Sequence, residues 1–459
     1  MMTIGFLDRI EESRGLQRFL ERGSGGLAVV YGRRRCGKST LLQRLLTGPH
    51  VYFQADQREC VLQLKALAGS IATQLPDFDR ACYGGWDDLL ASLYARTTES
   101  LCLCLDEFPY LAQADSSLPS VLQRYVDRPD GRLAWILCGS SQRMMQGLVL
   151  DRNAPLYGRA REIVKIAPLA PGWIMEALGC DAADGVRAYA VWGGVPRYWE
   201  LAVEYPSTDE ALQDLVWNRL GVLHEEPSRL LLDDLRSAVQ PYSILSLIGA
   251  GAHRPSEIAA RMGKPLSGLA RPLAQLCELG YVRRETPFGE HPRKTRRALY
   301  RLNDPFLMWF FRFALPYESA LAQGDTAEAA QVWQTTRSQH YASCWETLCR
   351  LAVPRLSCAN IRWGEASSWW SNSQSQTEVD LVAKSLDGSA ILLGECKWAE
   401  SDRTFDVDAM DRRLREQAAR IPAARGRRVV TSCWLGGAAK ASGQTVPCLT
   451  TDTVMAVLR

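Results

Sequence analysis

Leu27-Ala28-Val29-Val30-Tyr31-Gly32-Arg33-Arg34-Arg35-Cys36-Gly37-Lys38-Ser39-Thr40-Leu41-Leu42 is the stretch that decides how this chain folds. It opens on five apolar residues without a break, the pattern of a parallel strand buried on both faces. Thr40 to Leu46 reads as a helix. Between strand and helix lies a Gly-x-x-x-x-Gly-Lys-Ser turn. In that setting the backbone N–H groups of the turn and of the helix start converge into a seat for phosphate. Gly32 and Gly37 allow the tight path, Lys38 is placed for β- and γ-phosphate oxygens, and the Ser39 hydroxyl for magnesium. Gly32, Arg33, Arg34, Arg35, Cys36, Gly37, Lys38, Ser39 and Thr40 are thus the candidate nucleotide-binding residues, with ATP and magnesium as the expected cofactors.

Downstream, Leu101-Cys102-Leu103-Cys104-Leu105 is a second apolar run, and it ends in Asp106-Glu107. A buried strand with two acids at its tip suits a phosphate-binding turn: Asp106 for magnesium through water, Glu107 for polarising the attacking water. A third run, Leu133 to Cys138, ends in Gly139-Ser140-Ser141, where Ser140 is placed to sense a γ-phosphate. Arg159, in Asn153 to Arg161, is a candidate finger on nucleotide, either in its own chain or in a neighbouring subunit; salt bridging is the plainer reading for Arg159 and Arg161.

The middle of the chain changes pattern. About Leu169 to Leu235 is helical, with Trp192, Trp199 and Trp217 as core anchors. From Pro241 to Leu302, three short helices closed by glycines precede two strands, the layout of a winged helix-turn-helix. Its basic residues outnumber its acids, and Pro292-Arg293-Lys294-Thr295-Arg296-Arg297 would form a basic wing tip. A protein-docking face with solvated charge explains the same residues. Pro272 either kinks the third helix or sits in its first turn. Asn303 to Phe313 is dense in aromatics and reads as a buried connector.

In the last quarter, Thr377 to Ala383 and Ala390 to Trp398 read as adjacent strands parted by Asp387-Gly388. Glu395 and Lys397 are two apart and share a strand face, and Asp380 on the neighbouring strand joins them. Glu346, on a helical run, would add a third carboxylate. Carboxylates that bind magnesium, next to a lysine, are a chemistry for phosphodiester cleavage; a structural ion-pair cluster on a solvated sheet is the alternative. Asp380 and Glu395, like Ser39 and Asp106, are the candidate metal ligands.

Phe6-Leu7-Asp8-Arg9 with Glu11 and Glu12, Val30 to Arg35, Pro155-Leu156-Tyr157-Gly158-Arg159 and Gly193-Gly194-Val195-Pro196 together resemble the archaeal-type AAA ATPases, relatives of the STAND signalling ATPases. Trp369-Trp370, Glu378-Val379-Asp380 and Gly394-Glu395-Cys396-Lys397-Trp398 resemble the PD-(D/E)xK nucleases and the domain that follows those ATPases. Cys36 stands where valine is more usual. The resemblance implies an α/β multidomain chain: a P-loop AAA-type core (1–168), a helical lid (169–238), a winged helix-turn-helix (239–303), a linker (304–335) and a C-terminal α/β PD-(D/E)xK-like domain (336–459). It implies ATP hydrolysis that controls a DNA-engaging, nuclease-like domain; the alternative is a STAND-like switch that acts on a protein partner, and either leaves room for an oligomer.

Composition excludes little more. The chain has 459 residues, 47% hydrophobic and 23% charged, with a net charge of +3 too small to argue for any partner. Its 14 cysteines include no Cys-x-x-Cys pair, so a zinc site is not expected, and most of them read as small buried residues in a reducing cytoplasm. The first residues lack a basic segment leading into an apolar one, and no apolar run is of membrane-spanning length, so a cytoplasmic location is expected.

Overall fold

The computed structural model describes residues 4–128, 131–235, 237–291, 295, 297–371, 377–443 and 446–459. It divides into two compact units. One holds Asp8–Pro168 with Leu232–Arg236; the other holds the stretch ending at Leu7, Leu169–Leu231 and Ser237–Arg459.

The Asp8–Pro168 unit is built on five strands: β1 (Gly26–Tyr31), β2 (His50–Gln54), β3 (Leu101–Asp106), β4 (Leu133–Gly139) and β5 (Ala160–Lys165). They are all parallel, in the order β2-β3-β4-β1-β5. Every residue of β3 is buried, which explains why its sequence is apolar from Leu101 to Leu105 rather than alternating. Leu27, Val29, Leu103, Leu105, Trp135 and Leu137 lie in one core that helices cover. The sheet order matters for chemistry. β4 lies between β1 and β3, so the residue after β4 sits between the turn after β1 and the acids that end β3.

In the other unit, the helices Ala182–Trp192 and Pro196–Ala202 bury Trp192 and Trp199, and Trp217 is buried nearby. The aromatic helix Pro305–Phe313 starts at Asp304, whose Oδ1 accepts the Leu307 N–H at 2.8 Å. Its rings knit the unit together: Trp309 lies 5.7 Å from Trp217 and 5.9 Å from Trp333, and Phe306 lies 6.5 Å from Trp192. His340 is enclosed by the same rings, and its Nε2 lies 2.8 Å from the Ala190 carbonyl.

In the chain between Leu235 and Pro305 come three helices, Val239–Gly249, Pro255–Arg261 and Ala270–Glu278, and an antiparallel pair, β6 (Val282–Glu285) and β7 (Leu299–Leu302). The last helix is preceded by a single 3-10 turn, Leu266–Leu269, so Pro272 falls in the first turn of the α-helix, where its missing N–H costs nothing. Pro292, Arg293, Lys294 and Arg296 of the expected wing tip lie outside the described residues.

A long helix, Ala327–Ala352, leads to a short hairpin, β8 (Ser357–Cys358) and β9 (Ile361–Arg362), and then to the second large sheet. Its strands are β10 (Ser367–Trp370), β11 (Glu378–Lys384), β12 (Ala390–Asp406), β13 (Arg428–Ser442) and β14 (Cys448–Thr450), in that spatial order. β10, β11 and β12 are antiparallel neighbours, whereas β13 runs parallel to β12 and is reached through the helix Val407–Ala418. That helix buries Val407, Met410, Leu414 and Ala418, an i, i+3, i+4 stripe, against the sheet. The long helix packs closely on the same sheet: a methyl group at Gly436 would lie 2.5 Å from the Trp398 ring and 2.9 Å from that of Trp345, so only glycine fits there. β12 runs well past the expected end at Trp398, because β13 pairs with it as far as Asp406.

Candidate functional sites

The turn after β1 has the geometry of an anion seat. Gly32 has φ 152°, and a Cβ there would lie 2.1 Å from the Ile166 carbonyl oxygen, so no other residue fits. Arg35 and Gly37 also have positive φ, and Gly37 caps the helix Lys38–Leu45, which points its free N–H groups into the turn. Lys38 is buried, and its Nζ donates to the carbonyls of Gly32 at 3.0 Å and Arg33 at 3.1 Å. The Ser39 hydroxyl donates to Asp106 Oδ2 at 2.7 Å, joining the helix start to the tip of β3. Cys36 and Arg33 are buried, whereas Arg34 and Thr40 are exposed. Arg34 pairs with Asp233 at 2.6 Å.

Asp106 and Glu107 are held differently. Asp106 is buried and also accepts from the Tyr52 hydroxyl; burial and then this carboxylate hold the Tyr52 phenol well above its usual range. Glu107 has φ 53°, turning its side chain toward the tip of β4. There Glu107 Oε2 accepts from Ser140 twice, from N–H at 3.1 Å and from Oγ at 2.9 Å. All the polar groups at the Ser39–Asp106 contact are oxygens, a donor set that suits magnesium.

Sequence reasoning missed two residues here. Arg9, only 5% exposed, donates from Nη2 to the carbonyls of Cys36 at 3.0 Å and Ala167 at 2.6 Å, and its Nη1 pairs with Glu12 at 3.0 Å. It braces the turn from behind. The signal was present, since Phe6 to Arg9 stood out as a motif, but nothing in the sequence said what it touches. Tyr52 carried no signal beyond its place in a strand.

Arg159 needs correcting as a finger on nucleotide bound in its own chain. Parallel pairing sets Leu27 beside Ala160 and Tyr31 beside Lys165. Arg159 therefore lies at the start of β1 and the phosphate seat at its end, about 17 Å away at about 3.3 Å per residue. Its guanidinium is paired with Asp127 at 2.8 Å, so the salt-bridging reading describes Arg159, whereas Arg161 donates to the Ser24 hydroxyl at 2.7 Å.

The second constellation lies on the β11–β12 face. Leu381 pairs with Gly394, so one step further along Asp380 and Glu395 face each other. Asp380 Oδ2 accepts the Cys396 N–H at 2.8 Å. Glu395, only 4% exposed, takes the Lys397 ammonium at 2.6 Å and the Arg413 guanidinium on one oxygen, Oε1. Glu346 approaches from the long helix, where Arg350 lies 3.7 Å from its carboxylate and also donates to the Asp380 carbonyl at 2.8 Å. The structure thus brings Glu346, Asp380, Glu395 and Lys397 into one site. Burial, then the charge of Asp380, pushes the Glu346 carboxyl up; burial, then Glu395, does the same to Asp380. Such crowded carboxylates have the chemistry a divalent cation needs. Among the described residues, however, no three Asp, Glu, His or Cys groups stand in metal-holding geometry. Arg350 was missed in sequence; its only signal is the i, i+4 spacing from Glu346.

Residues 6–201 match the model of an ATPase domain found predominantly in Archaea. This part of the chain is similar to archaeal-type P-loop ATPase domains. Residues 309–410 match the model of archaeal and bacterial proteins of unknown function. The chain is 27% identical over 412 residues to the uncharacterized protein MJECL04 of Methanocaldococcus jannaschii, a match covering 86% of this chain and 88% of that one. Among solved structures it resembles the Walker-type ATPase PABY2304 of Pyrococcus abyssi, with 20% identity, a TM-score of 0.51 and coverage of 67% of this chain and 96% of that one. At that identity the likeness shows a shared fold. In the P-loop ATPase domain, the phosphate seat and the Asp106–Glu107 pair occupy the ends of neighbouring parallel strands. Among the described residues no helix is long and apolar enough to cross a membrane.

Proposed function

We propose that the chain hydrolyses ATP and that its nucleotide state controls a DNA-engaging, divalent-metal-dependent nuclease-like domain. For the ATPase, Lys38 and the backbone of Gly32 to Ser39 would hold the phosphates, and Ser39 and Asp106 would hold magnesium, which would supply charge neutralisation of the transferred phosphoryl group. Glu107 orients the attacking water. Its two hydrogen bonds from Ser140 favour a coupled role: Glu107 turns to the water as Ser140 turns to the γ-phosphate. Arg159 has a part only as a finger offered to a neighbouring subunit.

The observation that carries the nuclease reading is the meeting of Glu346, Asp380, Glu395 and Lys397 from a helix and two paired strands. Asp380 and Glu395 would hold a divalent cation, which supplies an activated water and neutralises the transition state. Lys397 sits within reach of the same carboxylate and stabilises negative charge developing on phosphate. A winged-helix role for Val239 to Leu302 adds nucleic-acid affinity.

A specific observation favours the second reading, a STAND-like switch acting on a protein partner. Lys397 and Arg413 both occupy Glu395, which describes a stable ion-pair cluster as well as it describes a metal site. One experiment separates the two. Plasmid and linear DNA are incubated with magnesium or manganese, with and without ATP, using wild type, Lys397→Ala and Lys38→Ala. Cleavage lost in Lys397→Ala and altered in Lys38→Ala supports the ATP-controlled nuclease. An intact, ATP-hydrolysing wild type that cuts nothing leaves the switch.

A further inference from the structure

The β6–β7 hairpin carries an arrangement that folding alone disfavours. Arg283 and Arg301 stand directly opposite each other across the two strands. Like charges in such a pair destabilise a hairpin. One carboxylate, Glu285, compensates both: Oε1 accepts from Arg283 at 2.6 Å and Oε2 from Arg301 at 2.8 Å. The hairpin face therefore keeps an excess positive charge, and the two guanidinium side chains remain 26% and 35% exposed.

That face adjoins the acidic site. Arg283 Nη2 donates at 3.3 Å to the hydroxyl of Thr347, the residue after Glu346, and Arg350 Nη2 reaches the same hydroxyl at 3.4 Å. Arg350 continues the chain to Asp380 through its 2.8 Å bond to that residue's carbonyl. The connection after β6 is fastened as well, since the Phe288 N–H donates to the Ser368 carbonyl of β10 at 3.0 Å. The hairpin is thus tied both to the helix that carries Glu346 and to the sheet that carries Asp380.

We propose that the hairpin and the acidic cluster form one nucleic-acid site, in which Arg283 and Arg301 take a backbone phosphate beside the phosphodiester presented to Asp380, Glu395 and Lys397. This deepens the nuclease reading and rests on it. The arginines bind by charge and by paired N–H donors, which suits phosphate oxygens. Their fixed place next to Glu346 sets the register of the strand on the carboxylates, while Glu285 moderates affinity.

The test is binding of a fluorescent 20-mer, as duplex DNA, single-stranded DNA and RNA, to the full chain in EDTA at several salt concentrations. The double variant Arg283→Gln/Arg301→Gln is expected to bind about tenfold more weakly, with the slope of log affinity against log salt reduced by about 1 to 2. Glu285→Gln is expected to shift affinity the other way, binding about three- to tenfold more tightly, because it uncovers both arginines. A merely structural hairpin would not tighten binding when its central ion pairs are broken. Thermal melting checks each variant, and if the double variant is unfolded, Glu285→Gln decides alone. Unchanged affinity and slope in folded variants of a chain that binds and cleaves overturns the hairpin's part and spares the nuclease reading. A wild type that binds none of the three probes in EDTA and cleaves none of them with magnesium or manganese overturns both.

Discussion

The two candidate sites are built from different material. The phosphate seat is a run of eight consecutive residues whose working groups are largely backbone N–H donors, and its shape is set by Gly32 against Ile166 and by Gly37 at a helix start. The acidic site is made of side chains from Glu346 to Arg413, on two helices and two strands, and only the Glu346–Arg350 and Glu395–Lys397 pairs within it are close in sequence. A backbone-made site tolerates changes in the side chains along it. A side-chain site is lost when one carboxylate goes, and it exists only after distant segments have packed.

The largest expected effect breaks the first site at its one indispensable side chain. Lys38→Ala should lower ATP hydrolysis by about 100- to 1,000-fold, as removal of a transition-state donor does elsewhere. Phosphate release measured beside an unchanged melting curve checks it; activity within about tenfold of wild type would contradict the role given to Lys38. Next, Asp380→Ala should abolish metal-dependent DNA cleavage, by about 100-fold or more, while ATP hydrolysis stays within about twofold. If both activities fall together, the two sites are not separable in the way their construction implies.

His340 sharpens the comparison from the side of stability, because the unit that contains the acidic site depends on this neutral buried ring. Burial lowers its pKa to about 4, from an ordinary 6.5. The folded form thus resists protonation that the unfolded chain accepts. The associated stability is fully present above about pH 6.5 and is lost as pH falls from there toward 4, up to about 3 kcal/mol in all. His340→Leu should flatten that part of the pH dependence in chemical denaturation between pH 7 and 4.5; an unaltered slope would assign acid sensitivity to other groups.

Arg9→Ala should destabilise the phosphate seat by about 2 kcal/mol, since it removes charge-assisted bonds to the buried Cys36 carbonyl and to that of Ala167. The expected reading is a lower melting temperature and weaker nucleotide binding with turnover at saturating ATP little changed. The smallest effect belongs to Cys36→Val. Its backbone carbonyl, not its thiol, is what Arg9 uses, so stability should move by less than about 1.5 kcal/mol and turnover hardly at all. A large loss of activity would mean that the Cys36 side chain takes part, against the description of a backbone-made site.

Several features are legible in the amino-acid order alone. The apolar runs of β1, β3 and β4 declare themselves because a parallel sheet buries both faces, and the acids and serine that follow them mark the strand ends. Arg159 misled because closeness in sequence to Ser140 suggested closeness in space. Between them the chain returns to the starting edge of the sheet, as it must before another parallel strand, and that return carries Arg159 away from the phosphate seat. Arg283 and Arg301 belong to a module whose basic residues outnumber its acids, a pattern that fits phosphate binding and a solvated protein-docking face alike. Their fastening to Thr347 and to one shared glutamate appears only when the hairpin meets the long helix.

The sequence by itself determined the phosphate seat, because strand, turn and helix are local and the working groups belong to consecutive residues. It also determined that Glu395 and Lys397 share a face, because strand periodicity is local. Tertiary structure alone decided that Arg9 braces the turn, that Ser140 holds Glu107, and that Glu346, Arg350 and Arg413 surround Asp380 and Glu395. Those arrangements depend on the register of strands and helices far apart in the chain, which packing of buried side chains fixes and no local pattern records.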